Sequence, residues 1–242
     1  MRVFILDKAF SGETIYILRK REINYLKNVL RLKNDDLFTA QDIKGNYYQA
    51  KLQESTLTLC QTDNPESTLL DHFSGFKGEF VKITVYQALC KGKKNEQIVR
   101  ALTETGITKI CFITSQFTQE QELNEHDILR LETIIKEAVQ QSGAKTVPPL
   151  TPVTSFKQAL STATGCKIML HQSLLENSKT LFEVIKGQTE ISLFIGSEGG
   201  FSDEECLAFE NEGGNAVLLK TNILRAENAG LYTVGAIQTF LN

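Results

Sequence analysis

The feature that most constrains the fold is a change of pattern near residue 80, where short apolar runs begin to alternate with amphipathic segments. The run VKITVYQAL is followed by the helical pattern KNEQIVRALTET and then by the run ITKICFITS, and KIML and ISLFIG continue the alternation. Strands that alternate with helices are typical of an α/β domain with a largely parallel sheet. We therefore predict that fold class for residues 80–242.

Residues 1–70 show several short apolar runs and one predicted helix at about 21–31. DIKGNYY is a hairpin signal, because Gly45-Asn46 can take positive φ. Short strands at this spacing favour a small β-barrel. The polar segment that follows, QTDNPESTLLDHFSGFKGE, is rich in turn-forming residues, and residues 71–79 are predicted to be a linker.

Composition excludes several classes of protein. No apolar run approaches the roughly 18 residues of a membrane span, and charge returns at Asp7 and Lys8 too early for a signal peptide. The five cysteines are scattered and lack CxxC spacing, so neither a zinc site nor a disulfide framework is predicted. We expect reduced thiols, no metal, no membrane partner and a cytoplasmic location.

The charge distribution is more informative than the net charge of −3. Residues 19–33 carry six basic residues and one acid, a net charge of +5, and residues 77–100 carry six basic and two acidic residues, a net charge of +4. Two basic patches on an acidic protein are consistent with a localised footprint for a polyanion. The alternative, that both are solvated helix faces, stays open at this point.

The segment GSEGGFSDEE, residues 196–205, follows the apolar run ISLFI and holds three glycines in its first five positions. Ser202 followed by Glu205 is a capping box that predicts a helix over 203–212. A loop between a strand and a helix of an α/β sheet lies where ligands bind, and glycines let backbone approach a ligand closely. A structural turn and a ligand loop remain alternative interpretations.

The glycine loop matches no common phosphate or nucleophile motif. It is neither GxGxxG nor GxxxxGK[ST], and it is not GxSxG, so Ser197 is a poor nucleophile candidate. Glu198 and the acids at 203–205 would repel a phosphate. A cationic or neutral ligand with adenine and ribose groups therefore fits this loop better.

A second polar loop, LLKTNILRAENAG at 218–230, follows the next predicted strand, NAVLLK. Its end lies near the glycine loop if the two strands are neighbours. Arg225 and Glu227, two residues apart, then form a candidate reactive or ligand-fixing site. The alternative is a surface ion pair of small energetic value.

These two segments resemble the paired C-terminal motifs of the SPOUT methyltransferases, and they are most similar to the family that methylates N3 of a uridine in 16S ribosomal RNA. YLKNVLRLKNDDLFTA resembles that family's N-terminal RNA-binding motif, and KGKKNEQIVRALTETGITKICFITSQ resembles its basic helix–strand unit. EAVQQSGAKTVPPL resembles its central helix and the proline-containing loop that follows. The resemblance covers nearly the whole chain in order.

The resemblance implies a small PUA-like β-barrel, then a SPOUT-type α/β domain that threads a trefoil knot, with S-adenosylmethionine bound by the knot loops. It also implies a homodimer with the last helix, 226–241, near the interface; the alternative is that the small residues of this helix pack within one chain. The positions expected to hold the cofactor are Leu170, His171, Gln172, Ile195, Gly196, Ser197, Glu198, Gly199, Gly200, Leu219, Lys220, Asn222, Ile223, Leu224, Arg225, Asn228 and Ala229.

The chain departs from the family pattern at four polar positions. The family usually has proline, glycine, arginine and threonine where this sequence has Ser197, Lys220, Asn222 and Asn228. The positions whose backbone is expected to surround the cofactor mostly match the family, so cofactor binding is expected. Positions that would touch RNA or the target base are less well kept, which leaves the RNA target open.

The resemblance implies RNA methylation, with ribosomal RNA or the small ribosomal subunit as the partner. Arg225 is the candidate for stabilising negative charge on the target uracil or a nearby phosphate, and Glu227 is the candidate general base. The residues expected to contact RNA phosphates are Arg19, Lys20, Arg21, Lys27, Arg31, Lys33, Lys91, Lys93 and Lys94. A non-catalytic RNA-binding paralogue and a methyltransferase for another RNA site are the rival hypotheses.

Overall fold

The computed structural model describes residues 3–10, 15–62, 81–144, 146–172 and 179–241. Contacts between residues divide the chain into two compact units, one of Met1–Gly75 with Val139–Val147 and the other of Phe76–Ala138 with Pro148–Asn242. The predicted linker, 71–79, lies outside the described residues. The proposed domain boundaries at 70 and 80 therefore stay a prediction.

The first unit is built on a five-stranded sheet in the order β1-β3-β4-β5-β2, in which β1 and β3 are parallel and the other pairs are antiparallel. A short helix, α1, continues into a single π-helical turn at Tyr25–Val29, and together they occupy most of the predicted helix at 21–31. The elements are β1 (Phe4–Ile5), β2 (Ile15–Ile17), α1 (Lys20–Asn24), β3 (Leu37–Gln41), β4 (Tyr47–Gln53) and β5 (Thr56–Thr62).

The predicted hairpin connects β3 and β4, and a buried carboxylate holds its turn. Gly45 has φ of 88°, as the turn requires. Asp42 is only 1% exposed and accepts hydrogen bonds from Lys44 N at 2.8 Å, Asn46 N at 2.9 Å and Tyr48 Oη at 3.1 Å. Burial alone would raise the pKa of Asp42, but hydrogen bonds from the side chain and backbone of Asn46 and from the backbone of Lys44 lower it. The turn is therefore fixed by local polar contacts.

The second unit contains a six-stranded sheet in the order β11-β9-β10-β6-β7-β8, and every described pair of strands is parallel. The predicted α/β fold with a mostly parallel sheet is confirmed. Its elements are β6 (Lys82–Ala88), α2 (Lys94–Glu104), β7 (Lys109–Thr114), α3 (Glu125–Ser142), β8 (Leu150–Ser155), α4 (Phe156–Thr162), β9 (Cys166–Leu170), α5 (Leu181–Ile185), β10 (Glu190–Ile195), α6 (Asp203–Asn211), β11 (Asn215–Val217) and α7 (Ala226–Leu241).

Apolar residues of the central strands form the core that carries the site. Strand β10 is buried from Ile191 to Ile195 and lies between β9 and β6. Phe194 stacks on Tyr86 of β6 at 4.4 Å between ring centroids and packs against Phe209 of α6 at 5.1 Å. These three rings belong to one buried cluster, which anchors the end of β10 to β6 and α6 on one face of the sheet.

Three local predictions differ from the structure. NAVLLK was expected to be one strand, but β11 ends at Val217. Strand β8 and helix α4 were not predicted, because Pro152 and the polar residues of LTPVTS do not form an alternating pattern. Strand β8 lies at the edge of the sheet, where proline is tolerated.

The helix ends follow the sequence closely. Gly143, with φ of 73°, donates to Val139 O at 2.9 Å and ends α3 as a C-cap glycine. The capping box of Ser202 and Glu205 opens α6, and α7 covers the predicted range 226–241. None of the helices in the described ranges combines the length and apolar character that a membrane crossing needs.

Candidate active site

A cavity of about 420 Å³ lies at the carboxyl ends of β9, β10 and β11, in the second unit. Three chain segments form its walls: the residues after β9, the glycine loop after β10, and the loop between β11 and α7. The cavity is lined by Lys94, Leu170, His171, Gln172, Ile195, Gly196, Ser197, Glu198, Gly200, Phe201, Leu218, Leu219, Thr221, Asn222, Ile223, Leu224, Arg225, Ala226, Glu227 and Ala229.

The glycine loop is tightly folded at the end of β10. Gly200 has φ of +72°, and its N–H donates to Ser197 O at 3.0 Å. A Cβ on Gly196 would lie 2.7 Å from Gly200 Cα, so only glycine fits at that position. Gln87, buried in β6, donates to Gly196 O at 3.3 Å and ties the loop to the neighbouring strand.

The outer side of the glycine loop contacts the segment after β7. A Cβ on Gly199 would lie 2.7 Å from Phe117 Cβ, which leaves room only for glycine there. The Ser197 hydroxyl donates to Phe117 O at 3.4 Å, and Gln116 N donates to Glu205 Oε1 at 2.9 Å. Ser197 is 7% exposed. It therefore supports the loop within the fold.

The other two walls, the residues after β9 and the loop between β11 and α7, are fixed mainly by backbone hydrogen bonds. His171 N donates to Val217 O at 3.1 Å, which places the residues after β9 beside β11. In the loop after β11, Thr221 N donates to Leu219 O at 2.8 Å, whereas Ile223 is 81% exposed. This third wall therefore presents side chains to solvent.

An ion pair between two partly exposed side chains connects the glycine loop with the start of α2. Lys94 Nζ lies 2.6 Å from Glu198 Oε1, and Lys91 N donates to the same oxygen at 3.3 Å. Partial burial alone would raise the pKa of Glu198, but the hydrogen bond from Lys94 and the backbone N–H groups lower it. Glu198 therefore carries its negative charge in the cavity at neutral pH.

Glu227, at the start of α7, is the most buried charged side chain of the cavity at 9% exposure. Its Oε1 lies 4.0 Å from Arg225 Nη1, and its Oε2 lies 4.0 Å from Lys94 Nζ. Within the described residues Oε2 has no hydrogen-bond donor. A buried carboxylate oxygen without a donor is costly, so it is a natural acceptor for a proton or an N–H group of a ligand.

The comparison with known protein families decides the assignment. Residues 77–238 match the family model of the RNA methyltransferase domain, and residues 18–60 match that of the RNA methyltransferase PUA domain. The first match covers more than half of the chain. The chain belongs to this RNA methyltransferase family. The family resemblance predicted from the sequence is confirmed, and the described cavity lies within its methyltransferase domain.

Relatives of this RNA methyltransferase domain protein match over nearly its full length. Ribosomal RNA small subunit methyltransferase E 2 of Borreliella burgdorferi is 27% identical over 250 residues, which cover 100% of this chain and 98% of that protein. Ribosomal RNA small subunit methyltransferase E of Synechocystis sp. is 27% identical over 236 residues, which cover 95% of this chain and 74% of that protein.

Solved structures share the fold. Ribosomal RNA small subunit methyltransferase E of Neisseria gonorrhoeae, bound to S-adenosyl methionine, has a TM-score of 0.81 at 24% identity and covers 99% of this chain and 97% of its own. A putative methyltransferase of Legionella pneumophila, with bound S-adenosylmethionine, has a TM-score of 0.81 at 21% identity, with 98% and 96% coverage. These likenesses confirm the fold of both parts of the chain.

The methyltransferase cavity contains most residues that the sequence predicted to hold the cofactor, as well as Arg225 and Glu227. Gly199, Lys220 and Asn228 are not among its lining residues. Gly199 faces Phe117 instead, and Lys220 and Asn228 are exposed. Phe201, Leu218, Thr221 and Ala226 line the cavity without having been predicted, although all four lie beside predicted positions within the two segments 196–205 and 218–230.

The predicted RNA contacts lie in different surroundings. Lys94 lines the methyltransferase cavity, whereas Lys91 and Lys93 lie on the exposed segment before α2. In the first unit, Arg19 pairs with Asp7 at 2.6 Å, and Arg31 has φ of 58°. The remaining basic side chains of the first patch that are exposed are Lys20, Arg21, Lys27 and Lys33. Their contact with RNA stays a prediction.

Proposed function

We propose that this protein transfers the methyl group of S-adenosylmethionine to N3 of a uridine in 16S ribosomal RNA. The observation that supports this most is the buried Oε2 of Glu227, which has no donor among the described residues and lies in a cavity walled by the two motif loops of a methyltransferase domain. The relatives named as small-subunit ribosomal RNA methyltransferases support the same substrate class. The choice of a uridine N3 rests on the sequence resemblance.

The residues of the cavity fit S-adenosylmethionine. A volume of about 420 Å³ is in the range of small-molecule sites. Gly200 has open space where a side chain would stand, and Leu170, Leu219 and Leu224 offer apolar contacts for an adenine ring. Glu198 supplies negative charge for a ligand that carries a sulfonium and an ammonium group.

When bound, the cofactor supplies an activated methyl carbon. Uracil N3 carries a proton at neutral pH, so a base must remove that proton as the N3–CH₃ bond forms, while the S–CH₃ bond would break and S-adenosylhomocysteine would be the leaving group. Glu227 Oε2 accepts this proton, and the Arg225 guanidinium stabilises the negative charge that develops on the uracil carbonyl oxygens. Most of the remaining rate enhancement comes from holding N3 in line with the methyl carbon.

The side chain of Arg225 is well placed for a macromolecular substrate. It is 82% exposed, although it lies 4.0 Å from buried Glu227. A target base that enters from the open wall therefore meets Arg225 before it reaches Glu227. Because N3 is used in base pairing, we propose that the base is extruded from the RNA. The exposed basic residues of segment 19–33 bind phosphates, which makes RNA binding sensitive to salt.

Three further properties belong to the proposal. We expect a trefoil knot in the C-terminal part, consistent with β10 entering the sheet between β9 and β6. We expect a homodimer through α7, although Gly230 packs against Ile195 and Leu102 of its own chain. We also propose a cytoplasmic location, because the substrate we propose is ribosomal RNA.

The test is methylation of 16S RNA and of small ribosomal subunits by the purified protein, followed by mass spectrometry of the nucleosides. Wild type is expected to produce 3-methyluridine. Glu227→Gln is expected to lower kcat by about 10²- to 10⁴-fold, the usual contribution of a general base, with the cofactor affinity retained. Glu132→Gln, an exposed change on α3, is the matched control and is expected to leave kcat unchanged. Full activity of Arg225→Ala with intact cofactor binding would contradict the role given to Arg225.

The rivals give different results in the same experiments. A non-catalytic RNA-binding paralogue would show no heat of binding with millimolar S-adenosylmethionine. A methyltransferase for another site would bind the cofactor and produce a methylated nucleoside other than 3-methyluridine. Nucleoside analysis of ribosomal RNA from cells that lack this protein then identifies the base that is modified.

A further inference from the structure

Lys94 occupies an unexpected place for a residue of a basic surface segment. Its Nζ lies 2.6 Å from Glu198 Oε1 and 4.0 Å from Glu227 Oε2, so it faces one carboxylate from each of two cavity walls. Glu198 belongs to the glycine loop and Glu227 to the first turn of α7. Lys94 thereby links, through one ammonium group, two segments that the sequence separates by 29 residues.

The ammonium group is already engaged, which argues against a role in binding RNA phosphates. The side chain of Lys94 is 34% exposed, and its hydrogen bond with Glu198 raises the pKa of Lys94, so the pair stays charged. A phosphate at this position would come close to two carboxylates and be repelled by both. Binding RNA through Lys94 would require breaking a short ion pair.

The two oxygens of Glu227 face different cations. Arg225 lies 4.0 Å from Oε1, and its side chain is 82% exposed. Lys94 lies 4.0 Å from Oε2, the oxygen that has no hydrogen-bond donor among the described residues. At 4.0 Å, Lys94 attracts Oε2 without forming a hydrogen bond to it, so Oε2 remains available as an acceptor.

We propose that Lys94 is a positioning residue of the reaction site, which holds the Glu227 carboxylate in place and balances its charge from an anchor on Glu198. This inference rests on the proposed function, since it assigns Lys94 to the same methyl transfer. It moves Lys94 from the predicted RNA-binding surface to the catalytic cavity. Lys91 and Lys93 remain as candidate phosphate contacts.

The test compares Lys94→Met with the control Lys82→Met. Lys82 is an exposed lysine at the amino end of β6, whereas Lys94 lies beyond its carboxyl end. At saturating RNA and cofactor, Lys94→Met is expected to lower kcat by about 10- to 100-fold. The variant loses an interaction that stabilises the transition state, but it binds the substrate in the ground state as well as wild type does. The KM for RNA and its dependence on salt are expected to stay at the wild-type values. Lys82→Met is expected to match wild type, and Lys94→Arg is expected to recover most of kcat.

The opposite pattern would overturn the inference. If Lys94→Met kept its kcat, raised the KM for RNA and reduced the salt slope by about 0.7 to 0.9, Lys94 would be a phosphate contact. A double-mutant cycle with Glu198→Gln checks the anchor: if Lys94 acts through Glu198, the two losses in kcat are not additive, and additive losses contradict the proposal.

Two controls separate failure of this inference from failure of the proposed function. If wild type neither binds S-adenosylmethionine nor methylates RNA, the proposed function fails and this inference fails with it. If wild type is active and Lys94→Met is equally active, the inference alone fails. Should Lys94→Met not fold, Glu198→Gln replaces it: a lower kcat with unchanged salt dependence supports the anchor, and an unchanged kcat contradicts it.

Discussion

The glycine loop and the loop between β11 and α7 wall the same cavity, but the protein holds them very differently. In the glycine loop, Ser197 is 7% exposed and Phe201 is 5% exposed. In the other loop, Ile223 is 81% exposed, and the side chain of Arg225 is 82% exposed. One wall is a fixed part of the core, and the other presents its side chains to solvent. This division suits a cofactor cradle that faces an entrance for a large substrate.

The cause lies in the position of the preceding strand. Strand β10 is central and pairs over Glu190–Ile195 with β6, so the glycine loop begins from a fixed end. Strand β11 is a three-residue strand at the edge of the sheet that pairs with β9 and adds one isolated bridge from Val217 to Lys179. A short edge strand constrains the chain that leaves it much less. We therefore expect changes in the glycine loop to cost more stability than changes in the other loop.

The largest expected difference is between Phe201→Ala and Ile223→Ala. Phe201 packs against Phe156 at 5.4 Å between ring centroids, within the buried cluster that includes Phe194. Phe201→Ala is expected to lower the free energy of unfolding by about 3 to 5 kcal/mol. Ile223→Ala is expected to change it by less than about 0.5 kcal/mol, as for most exposed positions. Denaturant unfolding measures both, and similar losses would show that the two walls are equally fixed.

Glycine substitutions test the cradle itself. A Cβ on Gly196 would meet the backbone of Gly200 at 2.7 and 2.9 Å, and backbone cannot move aside as a flexible side chain can. Gly196→Ala is expected to cost about 1 to 3 kcal/mol of stability and to weaken cofactor binding tenfold or more. Gly200→Ala, with φ of +72° and open space around its Cβ, is the control and is expected to cost about 1 to 2 kcal/mol from backbone strain alone.

Calorimetric titration with S-adenosylmethionine distinguishes these two glycine variants. If the glycine loop is a fixed wall of the cavity, Gly196→Ala should lose more affinity for S-adenosylmethionine than Gly200→Ala, because only Gly196→Ala displaces the loop backbone. Equal loss of affinity, or a greater loss in Gly200→Ala, would contradict it. Thermal unfolding of both variants separates a displaced loop from a destabilised fold.

A smaller effect is expected at the helix cap that ends the glycine loop. The Ser202 hydroxyl accepts a hydrogen bond from Glu205 N at 3.2 Å, and Glu205 Oε2 accepts one from Ser202 N at 3.0 Å. Ser202→Ala is expected to cost about 1 kcal/mol of stability. Ser155→Ala removes the same type of cap from α4 and serves as the matched control. Both should lose similar stability, but only Ser202→Ala is expected to weaken cofactor binding.

Local chemistry explains which elements could be predicted from the sequence. The cap at Ser202, the C-cap at Gly143 and the hairpin at Gly45 each depend on residues within a few positions, and all three are present. Strand β8 was missed because its stability comes from pairing with β7 and not from an alternating pattern. Both motif loops follow strands of the parallel sheet and wall one cavity, but β10 and β11 are not the neighbours that the prediction assumed, because β9 lies between them.

The surroundings of Lys94 could not be predicted in the same way. Lys94 and Glu198 are 104 residues apart, and they meet because β6 and β10 are paired neighbours in the sheet. From the sequence alone, Lys94 was therefore predicted to contact RNA together with the exposed Lys91 and Lys93 of the same basic segment. Exposure and partner, which decide whether a lysine binds phosphate or supports a site, are properties of the folded sheet order.

Hydrogen exchange measures the two walls directly and is expected to show the smallest, but most local, difference. The amide of Gly200 donates to Ser197 O at 3.0 Å inside a tight turn, whereas the residues around exposed Ile223 have few such bonds in the described structure. Exchange in peptides covering 219–224 should be faster than in peptides covering 196–200. Adding S-adenosylmethionine should slow exchange more in peptides covering 219–224, because the exposed loop between β11 and α7 is less ordered before the cofactor binds. Equal protection of both segments without cofactor would mean that the loop between β11 and α7 is as ordered as the glycine loop. The substrate would then have to enter elsewhere on the cavity rim.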